Sequence, residues 1–178
     1  MALTVEDGTG LSNANAFVSL AEFKAFCDLR GHSYTTDPLI EQAIVRATDF
    51  MSNSWAWDGF KRKGRGNADG EQALAFPRTD LVDRDGYAVP YDSVPQEIKD
   101  ATIEVARVEL TTPGAMTPTY TPHERVKSEK VGPLSTVYDL SSYDAEGARP
   151  VILAVRDLIG AFLKNGGQSK LSGETMRV

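Results

Sequence analysis

The segment Thr36–Met51 constrains the fold more than any other. Ile40, Ala43, Ile44, Ala47, Phe50 and Met51 recur at the spacing of one helix face, Thr36 or Asp37 stands where a cap belongs, and Pro38 falls in the first turn. A helix with one wide apolar stripe is stable only against other apolar surfaces, so the rest of the chain must supply them. Arg46 and Asp49 fall near the opposite face.

Three more stretches meet that demand. Ser19-Leu20-Ala21-Glu22 has the form of a capping box, in which hydroxyl and carboxylate satisfy free backbone donors reciprocally. It predicts a helix to about Arg30, ended by Gly31, with Leu20, Phe23, Phe26 and Cys27 facing inward. Cys27 is thereby a small core residue. Ser93 is positioned to cap a third helix striped by Ile98, Ala101, Val105 and Val108 and widened by Ile103, Ala106 and Leu110. So wide a face implies burial on more than one side. A fourth helix is predicted from about Arg149-Pro150, through Val151, Val155, Leu158 and Phe162, to Lys164 and the Gly166-Gly167 stop.

The intervening segments read differently. Residues 1–18 form an extended arm. Asp85-Gly86 marks a tight turn between Leu81-Val82 and Tyr87-Ala88-Val89, and Pro90 confines any strand there to an edge. Residues 113–124 hold three prolines and read as a loop. Val126 to Tyr138, broken at Gly132-Pro133, reads as two short strands in a hairpin. The fold class is therefore mainly α: about four helices, a small β-hairpin and extended terminal arms. One helical domain is expected over 1–167, with loop and hairpin insertions at 55–92 and 113–147, followed by a flexible tail at 168–178.

Composition narrows the function. The net charge is −6; residues 1–89 carry 9 Lys and Arg against 13 Asp and Glu, and residues 90–178 carry 10 against 12. Neither half is basic, which argues against a broad nucleic-acid-coating surface. A single cysteine excludes an internal disulfide and a thiolate zinc site. The polar N-terminus is no signal peptide, and no apolar run reaches membrane length. Enzyme chemistry is not expected and no cofactor or metal is called for. His32 and His123 sit in separate loops without a nucleophile or base at useful spacing, and no phosphate-loop or zinc-protease motif occurs. Asp80, Asp83 and Asp85 lack the spacing of a calcium loop and read as turn residues.

One stretch stands apart. Trp55 to Asp80 holds both tryptophans and the run Lys61-Arg62-Lys63-Gly64-Arg65. Cations beside Trp55, Trp57 and Phe60 could grip a phosphate backbone and stack bases. Alternatively the tryptophans close the core, and Lys61, Arg62, Lys63 and Arg65 meet a partner protein or face a DNA channel without base contacts. In the hairpin, Lys127, Glu129 and Lys130 alternate in sign, and an exposed edge there could pair with another subunit.

The segments LTVEDGTGLSNANAFVSLAEFKAF, AIVRATDFM, QALAFPR, DRDGYAVP, VPQEIKDATIEVA and EKVGPL, in that order, resemble the tailed-bacteriophage family catalogued as DnaT-like single-stranded-DNA-binding proteins, over residues 3–163. The size and helix layout are also similar to phage head–tail adaptors. That likeness implies a structural neck protein: a homo-oligomeric ring of about twelve copies between portal and tail, continuing the DNA channel toward a downstream tail or neck protein. It implies a place in the virion, after assembly in the host cytoplasm. The alternative that the family description implies is a single-stranded-DNA-binding protein of phage replication.

Overall fold

The computed structural model describes residues 2–118, 128–131, 134–137, 150 and 152–164. Its frame is four helices: α1 (Leu20–Arg30), α2 (Asp37–Asn53), α3 (Gln96–Thr111) and α4 (Leu153–Ile159), the last running into a 3-10 turn at Gly160–Phe162. Two antiparallel pairs accompany them. Strands β1 (Phe60–Lys61) and β2 (Arg78–Thr79) join Phe60 to Thr79 and Lys61 to Arg78. Strands β3 (Ser128–Val131) and β4 (Leu134–Val137) form the expected hairpin, with Val131 opposite Leu134. The chain is mainly α, and no helix among the described residues is long and apolar enough to cross a membrane.

Helix α3 is the hub. It packs along α2 on one side and α4 on the other, and also touches α1. Ile98, Ala101, Ile103, Val105 and Ala106 are all buried, which is why its stripe is wider than one partner requires. Facing it, Ile40, Ala43, Ile44, Ala47 and Met51 of α2 are fully buried. Full burial of an Ile, Val or Met side chain contributes roughly 1.5–3 kcal/mol.

The helix ends follow local chemistry. Ser19 Oγ accepts from the Glu22 N–H at 3.2 Å while Glu22 Oε2 accepts from the Ser19 N–H at 2.7 Å, and Gly31 closes α1 in the left-handed conformation, φ 68°. Cys27 is buried, and burial pushes its thiol up. Helix α3 departs from expectation. Its cap is Pro95, and the Ser93 hydroxyl instead donates to the Pro90 carbonyl. Helix α4 begins later than the sequence suggests, at Leu153, and Leu153 faces solvent at 68% exposure.

Two long-range arrangements add to the sequence reading. The N-terminal arm is extended, with an isolated bridge from Val5 to Ala16, but it lies on its own core: Ala14, Ala16, Phe17 and Val18 are buried. Arg46 is half-buried and paired across the helices. Its Nε donates to Glu109 Oε2 at 2.8 Å and its terminal nitrogen to the Glu109 carbonyl at 3.1 Å. Glu109 is 1% exposed and also accepts from the Gly114 and Met116 N–H groups at 2.7 and 2.9 Å. A buried carboxylate is tolerated only with its lone pairs filled, and this one caps the turn that leaves α3.

The expected loop beyond Pro118, His123, Lys127, Tyr138 and the tail 168–178 lie outside the described residues.

Burial raises the pKa of Glu109, but the Met116 and Gly114 N–H groups and Arg46 outweigh it, so the carboxyl sits below its ordinary 4.5. The unfolded chain therefore binds this proton more tightly than the folded chain. The contribution is complete above about pH 4.5 and is lost as pH falls through the lower folded value. We expect Glu109→Ala to lower unfolding free energy at neutral pH by about 2–3 kcal/mol in urea titrations. The deficit should shrink as pH falls below about 4.5; a deficit independent of pH would contradict the assignment.

Candidate nucleic-acid interface

Residues 57–80 leave the helices as a two-armed ribbon. Its base is stapled to the end of α4: Asp58 N–H donates to the Phe162 carbonyl at 2.8 Å, Lys164 N–H to Ala56 at 2.9 Å, and Trp57 bridges Leu163. Gly59 sits where the arms touch, φ 61°; a Cβ there would stand 2.1 Å from the Thr79 carbonyl oxygen, so no other residue fits. Beyond β1 the pairing continues irregularly, with Arg62 N–H donating to the Pro77 carbonyl at 3.2 Å and Gln72 N–H to Lys63 at 3.1 Å.

Three polar side chains fix the ribbon. Gln72, 1% exposed, accepts from the Lys63 N–H at 2.9 Å and donates to the Leu74 and Pro77 carbonyls at 2.9 and 3.0 Å. Arg78 ties the opposite arm to the base by donating to the carbonyls of Trp57, Asp58, Gly59 and Ala75. Burial pulls its guanidinium pKa down and the nearby Asp58 charge pushes it up. The third is Glu6, 2% exposed, whose carboxylate accepts from the N–H groups of Gly8, Gly10 and Leu11 at 3.0, 2.8 and 2.9 Å. The loop so formed receives Arg62 on the Gly8 carbonyl and Ala73 N–H on the Leu11 carbonyl.

Against this frame the site residues separate. Trp57 is 5% exposed and stacks edge-on against Phe76 at 4.9 Å, so it closes the core and is closed to a base. Trp55 is half-buried on Phe50 at 6.1 Å. Among the described residues neither indole N–H has a hydrogen-bond partner. Phe60 is different, at 71% exposure. Side chains two apart share a strand face, so Phe60 and Arg62 project together. Arg62 lies 5.3 Å from the Tyr91 ring, and Tyr91 is 57% exposed. Lys61 and Lys63 are half-buried along the other face, with Lys61 Nζ 3.4 Å from the Gln72 carbonyl, and Arg65 is exposed at the tip. The ribbon thus presents Phe60 and four cations on a fixed backbone, with the exposed Tyr91 ring beside Arg62.

Tyr91, Gln72 and Glu6 were not singled out by the sequence. Tyr91 is 29 residues from Arg62 and joins the site only through the fold. In the hairpin, Glu129 pairs with Thr136 and Lys130 with Ser135 across β3 and β4. His32 is half-buried, and no group of three or more His, Cys, Asp or Glu side chains among the described residues could hold a metal ion.

Fold and site together define a small, mainly helical protein that displays a rigid basic–aromatic ribbon. The chain belongs to the family described as "Putative DnaT-like ssDNA binding protein", whose model matches residues 1–178. No curated protein and no solved structure matches it.

Replacing Gln72 with Leu keeps the volume but orphans the Lys63 N–H and the Leu74 carbonyl and leaves the Pro77 carbonyl with the Arg62 N–H alone. We expect a loss of about 2 kcal/mol in stability together with faster tryptic cleavage at Lys61–Arg65. Unchanged cleavage would show that Gln72 does not hold the ribbon.

Proposed function

We propose that this protein binds single-stranded DNA through the ribbon, with Phe60 and Tyr91 stacking bases and Lys61, Arg62, Lys63 and Arg65 facing phosphates. The observation that carries the reading is the exposure of Phe60 and Tyr91 around Arg62 on a braced backbone. The family description supports it independently. Base–aromatic stacking contributes about 1–3 kcal/mol per base and tolerates any sequence, so two faces and a few phosphates give weak, sequence-independent binding. The acidic remainder of the chain keeps the footprint short.

A fluorescently labelled oligo(dT) titrated at varied salt tests this. We expect micromolar Kd and a log–log salt slope of about −2 to −3, since each released counterion on a single strand contributes about 0.7. Phe60→Ala should weaken binding about tenfold, and the pair Lys63→Ala with Arg65→Ala should flatten the slope by about 1.4. Absence of binding near 100 μM protein, or equal binding by these variants, would overturn the reading.

A second reading, the ring-forming neck adaptor between portal and tail, is favoured by a separate observation. The β3–β4 sheet stops at two strands among the described residues. A lone hairpin is marginal in water, and its edges accept a further strand from another subunit. Images of virions decide it: density for this chain below the portal supports the adaptor, and its absence from virions sinks it.

A further inference from the structure

The guanidinium of Arg62 is held on two sides. Its Nη1 donates to the Gly8 carbonyl, and its Cζ lies over the Tyr91 ring, 5.3 Å from the centroid and within cation–π range. Gly8 is itself fixed. Its N–H donates to Glu6 at 3.0 Å, and it has no room for a Cβ beside the Asp92 carbonyl. Tyr91 directly precedes Asp92, so both supports of the guanidinium belong to one bracket. A charge that served only to meet a phosphate would need no such bracing; a flat group used as a wall does.

Phe60 stands two residues before Arg62 and projects from the same strand face. Its ring is exposed, and among the described residues no other ring packs on it. Positions two apart on a strand have Cα atoms about 6.8 Å apart. A flat ring between two flat groups needs about 7 Å, twice the contact distance of carbon atoms. The step from Phe60 to Arg62 therefore matches the thickness of one inserted ring.

We infer that Phe60 and the Arg62 guanidinium form the two walls of a slot that takes one unpaired base, with Tyr91 backing the guanidinium. Arginine planes stack on bases as aromatic rings do, and the N–H groups not used by Gly8 remain for the phosphate of the same nucleotide. Tyr91 stays 57% exposed with Arg62 over it, which leaves surface for a second base. A paired base cannot enter the slot, since both its faces are covered in the duplex stack. The slot thus selects single strands, which the cations alone do not, because phosphates are common to both forms. This inference rests on the DNA-binding reading and adds that Arg62 acts through its plane as well as its charge.

Oligo(dT) and an abasic strand of equal length, each titrated with the full chain by fluorescence anisotropy, test the slot. Their phosphates are the same, so the ratio of the two affinities reports base contacts alone. Wild type should favour oligo(dT) by about a hundredfold, from two bases at about tenfold each. Arg62→Lys keeps the charge and loses the plane, so it should cut this preference to about tenfold with the salt slope unchanged. Loss of bracing alone would lower both affinities together and leave their ratio as it was. Phe60→Ala should also give about tenfold, and so should the double variant, because both walls hold the same base. A wild type without preference, an Arg62→Lys protein that keeps the wild-type preference, or a double variant that loses it altogether would overturn the slot while phosphate binding persists. A wild type that binds neither strand would overturn the DNA-binding reading and the slot with it.

Discussion

The packing of Phe76 is the constraint on which the rest of the structure depends. The ring is fully buried and meets Phe17, Trp57 and Phe162 edge-on, with centroids 6.2, 4.9 and 6.4 Å away. Those partners come from the N-terminal segment, the base of the ribbon and the end of α4. One side chain therefore ties together three segments that share no helix pairing. Edge-to-face contacts add about 0.5–1.5 kcal/mol each beyond area burial, but the larger consequence is geometric. The ribbon emerges at a fixed angle because its root is part of the core.

Polar groups then complete what the aromatic cluster begins. Glu6, Gln72 and Arg78 each fill several backbone hydrogen bonds that a loop of this length would otherwise leave to water. Gly8 belongs to the same bracket: a Cβ at that position would stand 1.9 Å from the Asp92 carbonyl oxygen, so the Glu6 loop presses on the approach to α3. The bracket joins the ribbon to the segment that carries Tyr91. A binding loop held this way loses little freedom on meeting a ligand, which favours affinity from few contacts.

The helices were legible because their signal is local. The Ser19–Glu22 capping box, Gly31 and the apolar spacing of α2 act within a few residues of where they are read. The hairpin at 128–137 was legible from its Gly-Pro break. What escaped depends on distance along the chain. The pairing of Arg46 with Glu109, 63 residues away, is invisible to periodicity. Nothing in the composition of the N-terminal arm announces that Phe17 packs on Phe76. At the candidate site, the sequence drew attention to the cations and to Phe60, which is exposed. Trp57 was ambiguous from sequence, and burial decided it. Tyr91 carried no local sign of its partner Arg62.

The picture that results is an acidic helical body holding one short basic–aromatic element in place. Hydrogen–deuterium exchange with and without oligo(dT) tests that picture most directly, because it reads the whole backbone at once. Protection confined to residues 60–65 and the segment around Tyr91 is the predicted result. Protection spread over α1–α3, or none at the ribbon while DNA is bound, would contradict it.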